Sequence, residues 1–298
     1  MKKTLIALAA LAATSAFAQS SVTLYGVADV ALTKVTGTSA ALGASSGLNN
    51  GTSRLGFKGT EDLGGGLKAG FTFEQAVNLN TGATNANTFD RAAWMNLAGG
   101  FGDLRLGRSL TPNFYGVAAW ELTGTANYSV VANQFGFAGS SRNDAMMMYT
   151  SPNFGGFSVS FGHVLKGNNA DVAKNSLNAI YKNGPLAVGF SYAKASGSEA
   201  AKGIGANYNF GAFQLAGSVM DPAGDSKGFS IGGGVQAGPV NIVLDIARDT
   251  EAKDTNTLVE VKYPLSKRTF TYVAFVRDGK GKTEENVNGL GLGLRHNF

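Results

Sequence analysis

The chain has 298 residues, of which 42 are glycine, and only 15% are charged, against ~25% in ordinary soluble proteins. Its formal charge of +5 is scattered along the chain, which excludes the concentrated basic face of a nucleic-acid-binding protein. Cysteine is absent, so disulfides, thiolate nucleophiles and cysteine metal sites are excluded, and His163 and His296 are the only imidazoles.

The chain opens on MKKTLIALAALAATSAFAQS. Lys2 and Lys3 precede an apolar core over 4–14, and Ala16-Phe17-Ala18 fits a small-x-small cleavage site. Residues 1–18 read as a secretory signal peptide, too short in its apolar core for a membrane anchor. The remainder, 19–298, reads as one domain. No apolar run in it approaches the ~18 residues of a membrane helix. A secreted chain rich in apolar residues and glycine, without a helical span, is either a transmembrane β-barrel or a soluble β-sandwich or solenoid.

The periodicity decides. Strands are predicted near 21–33, 53–60, 67–77, 90–98, 102–108, 144–150, 156–165, 176–183, 186–194, 203–209, 212–219, 228–236, 240–248, 256–263, 268–277 and 288–298. Many alternate strictly. In LKAGFTFE, Leu67, Ala69, Phe71 and Phe73 oppose Lys68, Gly70, Thr72 and Glu74. In LAVGFSYA, Leu186, Val188, Phe190 and Tyr192 oppose Ala187, Gly189 and Ser191. In VNIVLDI, Val240, Ile242, Leu244 and Ile246 oppose Asn241, Val243 and Asp245. The second face is mostly small rather than long and charged, which suits a wide, wet lumen more than the outside of a sandwich. Connections alternate between short turns (KNGP, FGAF, QAGP) and long loops, the longest being 109–143. That is the arrangement of an outer-membrane barrel of sixteen antiparallel strands with both termini on the short-turn side. An even strand number lets the last strand, GLGLGLRHNF, close on the first. Leu290, Leu292, Leu294 and Phe298 then face lipid, and no edge is left unpaired in hydrocarbon.

The stretches SSVTLYGVAD, SRLGFKGTEDLGGGLKAGFTFE, FGDLRLGRS, YTSPNFGGF, YPLSKRT and GLRHNF together resemble the general porins of Gram-negative bacteria, in the β-proteobacterial, neisserial-type branch. The resemblance runs in order along the whole mature chain. It implies an outer-membrane homotrimer, water-filled and passive, passing small hydrophilic solutes and ions. It also implies that Phe298 is the C-terminal signal read by the barrel-insertion machinery, with outer-membrane lipid and lipopolysaccharide as surroundings. The chain is short for this family, so its outer loops are expected to be trimmed. Asn96 stands where the family usually has glycine.

The resemblance folds loop 109–143 into the barrel as a constriction, with Glu121 its only acidic side chain. Parity then assigns the wall. Leu55 and Phe57 outward put Arg54 and Lys58 in the lumen. Leu104 and Leu106 outward put Asp103 and Arg105 inside. Trp94 is taken as lipid-facing, which turns Arg91 inward. Met147 and Tyr149 outward place Arg142 at the lumen entrance. Arg54, Arg91 and Arg142 match the family's basic cluster, and a field between them and Glu121 would favour anions. The inward acids Asp29, Glu74 and Asp103 would moderate that preference. A substrate-specific channel for small anions on the same barrel is the alternative reading.

No catalytic residues, cofactor or metal are expected. His163 lies at a strand end without a nucleophile and orienting acid arranged around it. The loop acids Asp249, Glu251, Asp254, Glu284 and Glu285 lack ordered calcium-ligand spacing.

Overall fold

The computed structural model describes residues 21–279, 281 and 285–298. The signal segment 1–18 and Glu284 lie outside the described residues. The barrel strands are β1 (Ser21–Val35), β2 (Arg54–Gly64), β3 (Leu67–Ala76), β4 (Ala92–Gly99), β5 (Gly102–Leu110), β6 (Arg142–Thr150), β7 (Phe157–Val164) and β8 (Lys174–Asn183). They continue as β9 (Leu186–Ala195), β10 (Ala200–Asn209), β11 (Phe213–Asp221), β12 (Gly228–Ala237), β13 (Val240–Asp249), β14 (Asp254–Pro264), β15 (Thr269–Asp278) and β16 (Val287–Asn297). Each pairs antiparallel with its sequence neighbours, and β16 returns to β1. The result is a closed, sixteen-stranded all-β barrel. The predicted strands recur with end shifts of a few residues.

Closure is continued beyond the last strand. The Phe298 amide donates to the Gly26 carbonyl and the Gly26 amide donates to the Phe298 carbonyl, both at 3.0 Å. β1 and β16 are in register from Val27 opposite Asn297 to Val35 opposite Gly289. The seam thus leaves the sheet without an open edge, which is the condition for a sheet to span a membrane.

The alternation sorts side chains as expected. Leu24, Phe57, Phe73, Leu104, Phe161, Leu244, Leu290, Leu292 and Leu294 are exposed on the outer face. Their strand neighbours Thr72, Ser160, Val243 and Asp245 are buried inside. At the short-turn rim, Tyr208, Phe210 and Phe213 form an aromatic group with adjacent centroids 4.6 Å apart. Such rings favour the boundary between acyl chains and headgroups.

The buried apolar core is inside the cylinder rather than within the wall. Val117, Trp120, Tyr128, Val130, Val131 and Phe135 come from the connection between β5 and β6. They pack on Ala201, Met220, Ala247, Leu258, Tyr272 and Ala274, which are inward wall residues. This long loop therefore lies in the lumen, as the resemblance implies. The sequence reading leaves it without regular structure, but it contains two short helices, α1 (Pro112–Ala118) and α2 (Val130–Phe135). A three-residue strand, Ala41–Gly43, also went unanticipated in the first long loop.

Candidate pore constriction

The lumen loop is organised by its own polar side chains. Thr111 caps α1, its hydroxyl accepting from the Phe114 amide, and Pro112 follows in the first turn, where its missing N–H costs no helical bond. Ser129 caps α2 by accepting from the Ala132 amide. Between the helices the Glu121 carboxylate accepts from the Thr123 amide (3.0 Å), the Thr123 hydroxyl (2.7 Å), the Thr125 amide (2.7 Å) and the Ser129 hydroxyl (2.7 Å).

The wall supplies the rest. Asn178 donates to the Pro112 carbonyl at 2.7 Å, Ser191 to Asn113 at 2.9 Å, Asn207 to Trp120 at 3.2 Å and Lys262 to Thr123 at 3.1 Å. The Tyr128 hydroxyl donates to Glu260 at 2.5 Å. A loop enclosed by protein carries carbonyls that water cannot reach, so each needs such a partner. The polar inward positions of β8, β9, β10 and β14 therefore serve the loop, not only the water. Trp120 lies directly over Gly205, whose absent Cβ would overlap the indole. Gly189 likewise admits the backbone of Gly116.

The loop covers β7 to β10 through α1 and β13 to β14 through α2. The basic residues gather on strands it leaves uncovered. Arg91 Nε donates to Glu74 Oε1 at 2.7 Å, and Arg54 Nε lies 3.7 Å from Glu74 Oε2. Tyr25 donates its hydroxyl to the same carboxylate at 3.0 Å. Arg142 Nε donates to the Arg91 carbonyl at 3.0 Å. Arg54 and Arg91 are thus brought together at one acid, and Arg142 is joined to them through the Arg91 backbone.

Lys58 and Arg105 are inward but separate. Lys58 Nζ sits 5.3 Å from the Tyr25 ring centroid. Arg105 stacks 4.2 Å over Trp94 and donates to the Tyr115 hydroxyl at 3.3 Å, so it braces the root of the loop. Arg295, which the parity reading passed over, faces inward opposite Asp29 and lies within electrostatic range of Arg54 and Arg91.

Two expectations are corrected. Trp94 does not face lipid: Met95 and Leu97 are the exposed pair on β4, and Met95 pairs with outward Leu106. Arg91 nevertheless reaches the lumen, because it precedes β4 and is freed from the strand's alternation. Glu121 does not form the acidic pole of the opening. It is 7% exposed and its carboxylate is consumed by the loop's own donors. The acid beside the arginines is Glu74.

Three of the loop acids have local structural partners. Asp249 accepts from Ser226 and from the Glu251 and Ala252 amides, Glu251 pairs with Lys227, and Asp254 accepts from the Gly281 amide. His163 is held by Asn175 at 2.8 Å.

The family model described as Gram-negative porin matches residues 4–283. Outer membrane porin protein 32 of Delftia acidovorans is 33% identical over an alignment of 354 positions covering all of both chains. Major outer membrane protein P.IB of Neisseria meningitidis serogroup B is 28% identical, again over all of both chains. Among solved structures, the anion-selective porin from Comamonas acidovorans superposes with a TM-score of 0.77 at 28% identity, covering 94% of this chain and 100% of the other. A closed sixteen-stranded cylinder with a loop packed in its lumen, matched by the family model over nearly its whole length, places this chain in the Gram-negative porin family, in the outer membrane.

Proposed function

We propose that this porin is a general-diffusion channel of moderate anion preference, with Arg54, Arg91 and Arg142 as the residues that set it. The observation that carries this reading is the convergence of Arg54 and Arg91 on a single carboxylate, Glu74, with Arg142 joined to them through the Arg91 carbonyl, along the wall that the loop leaves open. Three guanidiniums around one carboxylate leave a net positive potential, which concentrates anions and repels cations in a narrow aqueous passage. Lys58 and Arg105 add positive charge along the same lumen. Glu121 acts by shaping the loop rather than by facing the solute.

The assembly is a homotrimer, in keeping with the family. Phe298 is the C-terminal element recognised during insertion. Its ring is exposed at the short-turn rim and its backbone completes the β1–β16 seam, so a free terminal strand offers both an anchor and an open edge. Lipopolysaccharide and phospholipid bathe the outer face.

Planar-bilayer recording of the purified protein in a potassium chloride gradient tests the reading. A reversal potential of the sign set by chloride permeation supports it, and a cation-selective one refutes it. Flux that saturates at low concentration of one anion would replace general diffusion by a substrate-specific channel.

A further inference from the structure

The first long loop enters the lumen as well. The upper part of β1 pairs with β16 on one side and with the strand Ala41–Gly43 on the other, from Ala31 opposite Gly43 to Thr33 opposite Ala41. This anchors the chain inside the wall before it reaches β2. Leu48 then lies on Gly289 and Gly291, inward positions of β16 where a Cβ would stand 2.9 Å from Leu48 Cδ2 and 2.6 Å from the Leu48 carbonyl oxygen. Leu48, Asn49, Asn50 and Ser53 are all buried.

Asp29 holds this segment. Its carboxylate accepts from Asn49 Nδ2 (3.0 Å), the Gly51 amide (3.0 Å) and the Tyr272 hydroxyl (2.7 Å). Tyr272 in turn accepts from the Asn50 amide at 2.8 Å. The Asn50 side chain points two ways. Its Nδ2 donates to the Tyr128 hydroxyl of the constriction loop at 2.7 Å, and its Oδ1 accepts from Arg295 Nη1 at 2.7 Å. The Asn127 amide adds a bond to the Asn50 carbonyl at 3.3 Å. Among the described residues Arg295 has no carboxylate within ion-pair distance; its other side-chain bond is from Nε to Asn297 Oδ1 at 3.2 Å. Its guanidinium is therefore aimed by a neutral amide, and the Asp29 carboxylate opposite it, though within electrostatic range, accepts its hydrogen bonds from Asn49, Gly51 and Tyr272 instead.

We propose that Asn50 is a positioning residue that clasps the two lumen loops together and fixes Arg295 as a fourth cation of the anion path. The pore mouth is then set by two loops, and its width and its charge preference are coupled through one side chain. This rests on the anion-preferring reading above. A neutral amide suits the post better than a carboxylate: aspartate at 50 would accept from Arg295 but would also pair and cancel it.

The test uses the full-length protein reconstituted in planar bilayers at low salt. Arg295→Gln is expected to lower the anion-to-cation permeability ratio by about threefold or more, and Arg295→Lys to keep most of it. Asn50→Ala is expected to raise single-channel conductance and to lower the ratio by a similar factor, and the double variant to lower it no further than Arg295→Gln alone. Asn50→Asp should match Arg295→Gln in selectivity and, because a carboxylate cannot donate to the Tyr128 hydroxyl, should raise conductance as Asn50→Ala does. Far-UV circular dichroism and oligomer migration of each variant establish that the barrel is intact. If Arg295→Gln keeps the wild-type ratio, or if the two single effects add in the double variant, the clasp is wrong. If instead the wild-type channel shows no anion preference, the parent reading fails first, and the conductance of Asn50→Ala alone decides whether the two loops are coupled.

Discussion

Among the described residues Glu74 is the one acid in direct contact with the arginine cluster, so its neutralisation offers the sharpest test of the electrostatic reading. Glu74→Gln keeps the shape and leaves Oε1 to accept from Arg91 Nε, which now does so at 2.7 Å. It removes one negative charge from a site shared by Arg91, by Arg54 at 3.7 Å and by the Tyr25 hydroxyl. A permeating ion passing at about 6 Å in water-like dielectric feels that charge at about 0.7 kcal/mol, or about a threefold change in local concentration. The change is upward for anions and downward for cations, so the permeability ratio should rise about threefold to tenfold. The measurement is the reversal potential in a low-salt gradient, where the screening length is about 10 Å. The same variant measured near 1 M salt, with screening at about 3 Å, should show little change. An unchanged ratio at low salt would mean that ions do not pass the cluster, and a fall in the ratio would mean that Glu74 chiefly holds the guanidiniums in place.

Arg91→Glu should lower anion preference more than any single neutralisation, since it replaces a cation by a second anion beside Glu74; reversal potential reads it directly. Gly205→Val should force Trp120 from its seat, at a cost of about 1–3 kcal/mol to loop docking. The expected result is a larger, noisier conductance and faster proteolysis between α1 and α2, with the barrel itself intact by circular dichroism. Glu121→Ala should act in the same way, by removing the acceptor of four bonds, and should leave selectivity almost unchanged. A large selectivity change in that variant would restore Glu121 as a pore charge. Phe298→Ala should lower the yield of inserted protein in cells while leaving the conductance of the protein that does insert near wild type.

The outer face was legible because lipid imposes one rule on it. Every outward position must be apolar or small, so Phe71 and Phe73 or Leu290, Leu292 and Leu294 declare their face without any partner being known. The inner face obeys no single rule. Asn178, Ser191 and Asn207 look like residues for water, yet they satisfy carbonyls of a loop more than fifty residues away in sequence. Met220, Leu258 and Tyr272 look misplaced in a lumen until the loop's apolar side is set against them. Trp94 was misassigned for the same reason. Both faces of β4 carry large apolar groups, and only the pairing of Met95 with Leu106 and Asn96 with Arg105 breaks the tie. Arg295 sits on the inward parity beside outward Leu294 and was passed over, whereas Asn50, in a loop, carried no local signal at all.

That asymmetry bears on how such a channel can change. A lumen position that pairs with a loop is constrained as a core position is, because an orphaned buried carbonyl costs about 1–3 kcal/mol. Arg54 pairs with Glu74 and bonds to the Thr52 carbonyl, Arg91 bonds to Glu74, and Lys58 lies over Tyr25, so none of these contacts belongs to the constriction loop. Charge preference can therefore shift by substitution on β2 and at the start of β4 while the constriction stays in place. Arg105 and Arg142 are less free. One braces Trp94 and Tyr115, and the other holds the Arg91 carbonyl where the loop rejoins β6. If this division holds, Arg54→Gln and Arg105→Gln should part company. The first should alter reversal potential with conductance nearly constant. The second should alter conductance and its noise, because the loop loses its brace at the root. Equal behaviour of the two variants in both measurements would show that the loop does not depend on Arg105, and that the wall is one electrostatic surface without structural division.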